Sequence, residues 1–287
     1  MNPATAQLII VHWNRPDECA ATAAAFTAQY PELHVVILDN NSSEEAFERL
    51  RAQLEHSAEI LRLPQNKGWG PALNIALRQW LDHDTSEYCL ISAHDARPAK
   101  NCVPRLIQAM HADEKIGIAC PEYPDGSVPL LTALHGVAQQ SGQLLPPNQV
   151  REIDVPHGTL MVVRRQCLAD VGLFDERYFA YGDEHELGAR ARKRGWKIAL
   201  VGGALVLNPE TSTASELRSY LFTRNSLLLV HDYFGRFAAW RRAVLILLNT
   251  LRLTLLARRD AFAFAPRARW RGCRDYFTGR FGPPPAS

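Results

Sequence analysis

Leu33-His-Val-Val-Ile-Leu38-Asp39-Asn-Asn-Ser-Ser43 is the stretch that decides the fold. It is a short, almost wholly apolar run that stops at a cluster of Asp, Asn and Ser, which reads as a buried strand ending in a polar loop. The same grammar repeats on either side. Upstream, Leu8-Ile-Ile-Val11 stops at His12-Trp13-Asn14-Arg15-Pro16, and Asp17 to Gln29 reads as an alanine-rich helix. Downstream, residues 44–56 are helical and Ile60-Leu-Arg-Leu63 is a third strand. Asn66-Lys67-Gly68-Trp69-Gly70 then leads into a helix from Pro71 to Leu81, and Tyr88-Cys-Leu-Ile91 is a fourth strand ending at His94-Asp95. Strands alternating with helices predict an α/β fold with a doubly wound, mostly parallel sheet. The polar residues then collect at the carboxyl ends of the strands, where such sheets bind ligands.

Beyond residue 99 the pattern loosens. Ile116-Gly-Ile-Ala-Cys120 and Thr159-Leu-Met-Val-Val163 read as strands, and residues 197–207 as two short strands around Gly202-Gly203. Residues 122–150, rich in Pro, Gly and Gln, read as an irregular or hairpin excursion, and the chain turns helical after Ser215. The apolar run 243–257 is too short, and too interrupted by Asn249 and Arg252, to span a bilayer.

A chain of 287 residues with 47% hydrophobic and 22% charged content has ample material for a core. Met1 to Gln7 is neutral and polar and the apolar run behind it is short, which does not read as a signal peptide. Six scattered cysteines without a C-x-x-C pair suggest free thiols in a reducing cytoplasm. The net charge of +2 hides an asymmetry: residues 231–287 hold eleven Arg, no Lys and three Asp, a net of +8, so residues 1–230 carry −6. A basic tail on an acidic body suggests contact with an anionic surface.

One stretch serves no packing need. Gly172-Leu-Phe-Asp175-Glu-Arg-Tyr-Phe-Ala-Tyr181-Gly-Asp183-Glu184-His-Glu186 gathers carboxylates ahead of Leu187-Gly-Ala-Arg190-Ala-Arg-Lys-Arg-Gly195, which reads as a helix and its stop. A helix start attracts anions, so these carboxylates are expected to stay ionised. One of them on a pocket wall can take a proton from a substrate hydroxyl. The plain alternative is ordinary capping by Asp183 or Glu184.

The order of these motifs resembles the inverting family 2 glycosyltransferases of GT-A fold, and within them the bacterial rhamnosyltransferase-like enzymes. The matching pieces are Val11 to Pro16, Leu38 to Ser42, Asn66-Lys67-Gly68 with Asn74, His94-Asp95-Ala96-Arg97-Pro98, His157-Gly158-Thr159 and Gly172 through Leu187. Arg224-Asn225 and the ending Arg271 to Gly282 also look like that group. The resemblance implies a catalytic domain over 1–215, with a nucleotide-binding half (1–98) and an acceptor half (99–215), and a helical, basic C-terminal region over 216–287. It implies transfer of a sugar from a dTDP- or UDP-linked donor, dTDP-rhamnose first among them, to a hydroxyl of a lipid-linked saccharide, a polysaccharide or a small molecule. Carried over by position, Asp39, His12, Asn14, Arg15, Lys67 and Gly68 would hold the donor. Asp95 would bind the donor and Mg²⁺ or Mn²⁺. Glu184 would be the catalytic base with Asp183 beside it, and His157, Gly158, Asp175 and Glu176 would shape the acceptor pocket.

Two departures touch the metal. Ala93 stands where the family usually has an acid or Asn, and Asn208-Pro209 where it often offers a histidine, leaving His94 or Glu210 as substitutes. A catalytically silent nucleotide-sugar-binding protein is the rival reading. A nucleotidyltransferase would want a Gly-rich loop after the first strand, and the acidic body fits a nucleic-acid binder poorly. The tail is expected to form amphipathic helices that touch the inner membrane face or a second copy in a homodimer, with aromatic residues Phe262, Phe264, Trp270, Tyr276 and Phe277 among the arginines.

Overall fold

The computed structural model describes residues 6–207, 214–256 and 265–284. Asn208, Pro209, Glu210, Ala257, Phe262 and Phe264 lie outside the described residues. The first half follows the strand–helix alternation: β1 (Ala6–His12), α1 (Pro16–Thr27), β2 (His34–Asp39), α2 (Glu44–Leu54), β3 (Glu59–Arg62), α3 (Gly70–His83) and β4 (Tyr88–Ala93). Next come β5 (Arg97–Pro98), α4 (Cys102–Ala112) and β6 (Ile116–Glu122). The excursion holds the hairpin β7 (Val128–Thr132) and β8 (Gly136–Gln140), then β9 (Val150–Glu152). The chain closes with β10 (Leu160–Arg164), α5 (Arg165–Val171), α6 (Asp183–Lys193), β11 (Lys197–Leu207), α7 (Ser215–Leu255) and α8 (Pro266–Phe277).

One sheet runs through both halves in the order β3-β2-β1-β4-β10-β6-β11-β5, with β9 on β11. The pairs β3–β2, β2–β1, β1–β4 and β6–β11 are parallel, while β10 runs antiparallel to both β4 and β6. That reversal positions the site, because it brings the amino end of β10 to the edge where β1, β2 and β4 have their carboxyl ends. There the Ala93 N–H donates to the Thr159 carbonyl at 2.9 Å.

The apolar runs are continuous because both faces of the sheet are covered. Successive side chains alternate faces, so Leu8, Ile10, Val35 and Ile37 pack in one core with Phe26, Leu50 and Leu106. Ile9, Val11, Val36 and Leu38 pack in the other with Leu73, Trp80 and Leu187. The expectation of two strands in 197–207 is corrected: β11 is one strand with a register shift between Val201 and Leu205. Gly203 takes a left-handed φ of 74° inside that shift, and a Cβ on Gly202 would stand 2.2 Å from the Pro146 carbonyl oxygen. The glycine pair therefore bends a strand without ending it. α7 breaks at Gly235 (φ 86°), and its two halves pack against α8.

Candidate active site at the carboxyl edge of the sheet

β1 and β2 end in His12 and Asp39, both fully buried. The Arg15 backbone N–H donates to His12 Nε2 at 3.1 Å, so Nδ1 carries the proton that bonds Asp39 Oδ1 at 2.9 Å. Asp39 Oδ2 accepts from the Ser42 backbone N–H. Burial opposes the charge on Asp39, but the bonds from His12 and Ser42 outweigh it and hold the carboxyl below its ordinary range. Asn14, left-handed at φ 53°, laces the two loops together by donating its N–H to Ser42 Oγ and accepting from the Ser43 N–H. Trp13, which sequence reading did not single out, is 45% exposed in this loop.

The next loop is fastened by Asn40. Its Oδ1 accepts from the Lys67 N–H, and its Nδ2 donates to the Gly68 carbonyl and to Asn66 Oδ1. Gly68 has φ 88°, and a Cβ there would meet the Phe179 carbonyl oxygen at 1.8 Å. This close approach lets the Trp69 N–H donate to that same carbonyl at 2.7 Å and joins the loop before α3 to the acidic stretch. Asn74 of α3 clamps both backbone groups of Phe174, and Asn225 of α7 donates to the carbonyls of Ala180 and Tyr181.

The three acids that open α6 differ sharply. Asp183 is fully buried, accepts from the Gly70 N–H at 2.7 Å through Oδ2, and has no partner on Oδ1 among the described residues. Burial, then the neighbouring Glu184 charge, push its pKa well above the ordinary carboxylate range. The expectation that every acid at this helix start stays ionised is thus corrected for Asp183. Two helix N-termini meet there, but the lost hydration outweighs their field. Glu186 is held by Arg190 at 2.7 Å and by the Tyr233 hydroxyl at 3.1 Å. Glu184 has no arginine partner among the described residues. Its Oε2 accepts from the Gly182 N–H at 3.1 Å and its Oε1 lies 3.6 Å from His185 Nε2. A Cβ added to Gly158 would stand 3.5 Å from the Glu184 carboxyl and 3.6 Å from the Trp69 ring. Gly158 therefore leaves the space before Glu184 open.

His157 lies beneath this space. Its Nε2 donates to the Pro121 carbonyl at 2.7 Å, its ring stacks on Tyr123 with centroids 4.3 Å apart, and its Nδ1 has no partner among the described residues. Burial lowers the pKa of both His157 and His185 to about 4, so both rings are neutral near pH 7. His185 and Tyr123 escaped sequence reading, the first because only its neighbours match a motif and the second because it lies in the irregular segment.

Other candidates are placed less directly. Asp175 pairs with Arg177, which bridges to Asp232, and Glu176 meets Arg78 and Asn74. Both brace the acidic loop against α3 and α7 and do not bond Glu184. Arg15 is occupied by Glu18 and feels the charge of Asp95. No hydrogen bond or ion pair engages the side chains of Asp95 and Lys67 among the described residues. No group of three His, Cys, Asp or Glu side chains could cage a metal among the described residues. His94 is turned toward the Val11 carbonyl at 3.3 Å, and burial lowers its pKa. A single carboxylate still suits Mg²⁺, which is commonly held by one or two carboxylates plus substrate phosphates.

A separate groove of about 630 Å³ lies at the amino edge of the sheet, where Lys115 and Lys197 precede or open their strands. Three of its four cations are engaged internally: Lys197 by Asp113, Arg192 by Asp154, and Lys193 over the Tyr233 ring.

Residues 7–172 match the family described as glycosyl transferase family 2. The chain belongs to that family. The curated relatives include the N-acetylglucosaminyl-diphospho-decaprenol L-rhamnosyltransferase of Mycobacterium tuberculosis, 26% identical over 73% of this chain and 78% of the relative. They also include the low-salt glycan biosynthesis hexosyltransferase Agl10 of Haloferax volcanii, 25% identical over 70% of this chain and 68% of that one. Among solved structures, GalNAc-T7 with UDP, GalNAc and Mn²⁺ superposes with a TM-score of 0.67 at 15% identity; the match covers 83% of this chain and half of that one. The mannosyltransferase PcManGT of Pyrobaculum calidifontis, with GDP-Man and Mn²⁺, gives 0.59 at 15% identity over 96% of this chain and 85% of that one. These neighbours show the GT-A fold of this family 2 glycosyltransferase.

Proposed function

We propose that this chain moves a deoxyhexose or hexose from a nucleoside-diphosphate sugar to a hydroxyl of a lipid-linked saccharide, with inversion, and that Glu184 is the base. The observation that carries the assignment is the division of labour in the first turn of α6. Asp183 is buried where burial opposes its charge and Glu186 is locked by Arg190, so Glu184 alone of the three borders the open space at Gly158. The acceptor oxygen bonds to the anomeric carbon while the bond from that carbon to the phosphate oxygen breaks. The hydroxyl proton passes to Glu184, and the nucleoside diphosphate departs on the opposite face. A positioned base contributes roughly 10²–10⁴-fold.

The donor lies across the carboxyl ends of β1, β2 and β4. The wall of His12, Asn14 and Asp39 takes the nucleoside with Trp13 at its rim, and Lys67 and Arg15 face the phosphates. A divalent cation held by Asp95 and those phosphates would neutralise charge on the leaving group. Asp175 and Glu176 set the acceptor loop. The similarity to a rhamnosyltransferase that acts on an N-acetylglucosaminyl-diphospho-decaprenol favours rhamnose as the sugar and a polyprenyl-diphosphate-linked N-acetylglucosamine as acceptor, with dTDP-rhamnose as the donor to test first. The six cysteines are buried free thiols, which suits work in the cytoplasm.

Ala93 and the single carboxylate at Asp95 favour one second reading, a nucleotide-sugar-binding protein without transfer. The two separate in an assay of nucleoside diphosphate release from dTDP-rhamnose, UDP-sugars and GDP-mannose, with that acceptor and with Mn²⁺ or EDTA. Acceptor-dependent release, lost in Asp95→Ala together with its Mn²⁺ dependence, supports transfer. Tight nucleotide binding without release from any donor supports the silent reading.

A further inference from the structure

The second half of α7 leaves a row of large apolar side chains exposed, where an ordinary surface helix turns them inward. After the break at Gly235 the buried residues are small, namely Ala238, Ala239, Ala243 and Thr250, while Ile246 and Leu247 are partly buried against the Ala243 cluster. Ala239 and Ala243 pack in the clusters of Tyr276 and Cys273 of α8, and Arg269 of α8 reaches the Thr250 hydroxyl. Five other large apolar residues point out. Phe237, Trp240, Leu248, Leu251 and Leu255 are between 56% and 76% exposed. They recur at helical spacing, so they form one stripe along the helix. Exposed Arg241 and Arg252 each follow a residue of the stripe directly. On α8, exposed Trp270 and Phe277 stand among Arg267, Arg271 and Arg274. From residue 236 onward the only acid among the described residues is Asp275, which is buried.

We propose that this face docks on a bilayer surface rich in anionic phospholipid. Apolar burial in the headgroup region and attraction of arginine to anionic lipid act together on such a helix. Aromatic rings favour that depth, and long basic side chains can reach the phosphates above it. Charge decides against a second copy as occupant. A two-fold interface sets the same patch against itself, and this patch would bring arginines together with no exposed acid among its described residues to meet them. The described helices are not long and apolar enough to cross the membrane, so the contact is peripheral. The first half of α7 is bonded to the loop of Glu184 through Asn225 and Tyr233, so docking would seat the acidic turn near the interface. That last consequence rests on the transferase reading above; the docking itself does not.

The test uses the full chain and co-sedimentation with vesicles of phosphatidylcholine alone or mixed with phosphatidylglycerol, at low and high salt. The wild type is expected to bind only the phosphatidylglycerol vesicles and to leave them at high salt. Leu248→Asp with Leu251→Asp, and separately Arg241→Glu with Arg252→Glu, should each weaken binding by at least ~10-fold. Both should leave nucleoside diphosphate release to a short, water-soluble acceptor unchanged. Failure of the wild type to bind at low salt, or equal binding by wild type and both variants, overturns the proposal. A dimer in light scattering that Leu248→Asp with Leu251→Asp dissolves, without vesicle binding, assigns the face to a second copy and overturns it too. Vesicle binding as expected, with no release from any donor, leaves the docking standing and removes the transferase reading.

Discussion

At the scale of single residues, the site separates three neighbouring acids by environment. Asp183 is the one whose charge the fold does not tolerate. Unfolded, it ionises near its ordinary value of 3.8; folded, it keeps its proton to a much higher pH. Its contribution to stability is therefore full below about pH 4 and falls as pH rises through the raised value. An asparagine has the shape of the protonated acid and can still accept from Gly70. Asp183→Asn is expected to melt at the same or a higher temperature than the wild type at pH 7, and to lose part of that advantage at pH 4. Thermal unfolding at both pH values checks this. A variant that melts well below wild type at pH 7 would mean that Asp183 is ionised and needed as such. The position was legible in sequence as part of an acidic pair. The ionisation was not, because it depends on α3 arriving from another part of the chain to bury the carboxyl.

Among the elements, two loops and one strand reversal make the site. Gly68 is the point where the loop before α3 touches the acidic loop. Gly68→Ala adds a methyl group at a left-handed φ of 88° against the Phe179 carbonyl oxygen. It should cost roughly 1–3 kcal/mol of stability or more and should disable transfer more than stability alone explains. Urea unfolding and transfer rates on the same preparation measure both; full activity at reduced stability would show that the two loops need not touch. Most strands were legible because buried apolar runs ending at polar clusters have few other readings. The reversal of β10 was not, since Thr159-Leu-Met-Val-Val163 has the same alternation read in either direction. Nor was the continuity of β11, because a glycine pair signals a turn as readily as a bulge. Lys67-Gly68 stood out as a motif, whereas the brace from Asn40 that shapes it is a tertiary contact invisible in any local pattern.

The whole molecule responds to pH through groups buried without charge. His157 is neutral and enclosed, with a folded pKa of about 4 against an ordinary 6.5. Its contribution is fully present above pH 6.5 and is lost as pH falls toward 4, on the order of 2–3 kcal/mol. Asp183 acts in the opposite sense as pH rises above about 4, so the two contributions offset one another in the wild type. His157→Gln keeps a donor for the Pro121 carbonyl and removes the titration. Urea unfolding should find the variant less stable than wild type at pH 7, with that gap narrowing or reversing at pH 4.5. A constant gap would show that His157 is not buried neutral. The basic, apolar face of α7 and α8 lies beyond the break at Gly235, separated by that kink from the Asn225 clamp on the acidic loop.

The central claim is that Glu184 alone takes the acceptor proton. The most direct measurement compares transfer by wild type, Glu184→Gln, Glu186→Gln and Asp183→Asn with dTDP-rhamnose and the lipid-linked acceptor, alongside calorimetric binding of dTDP. The amide of Glu184→Gln keeps the shape and cannot accept the proton, so kcat should fall by at least ~10²-fold with dTDP affinity unchanged, and Asp183→Asn should retain most of its turnover. Near-normal turnover in Glu184→Gln, with Asp183→Asn or Glu186→Gln inactive but folded, would contradict the account.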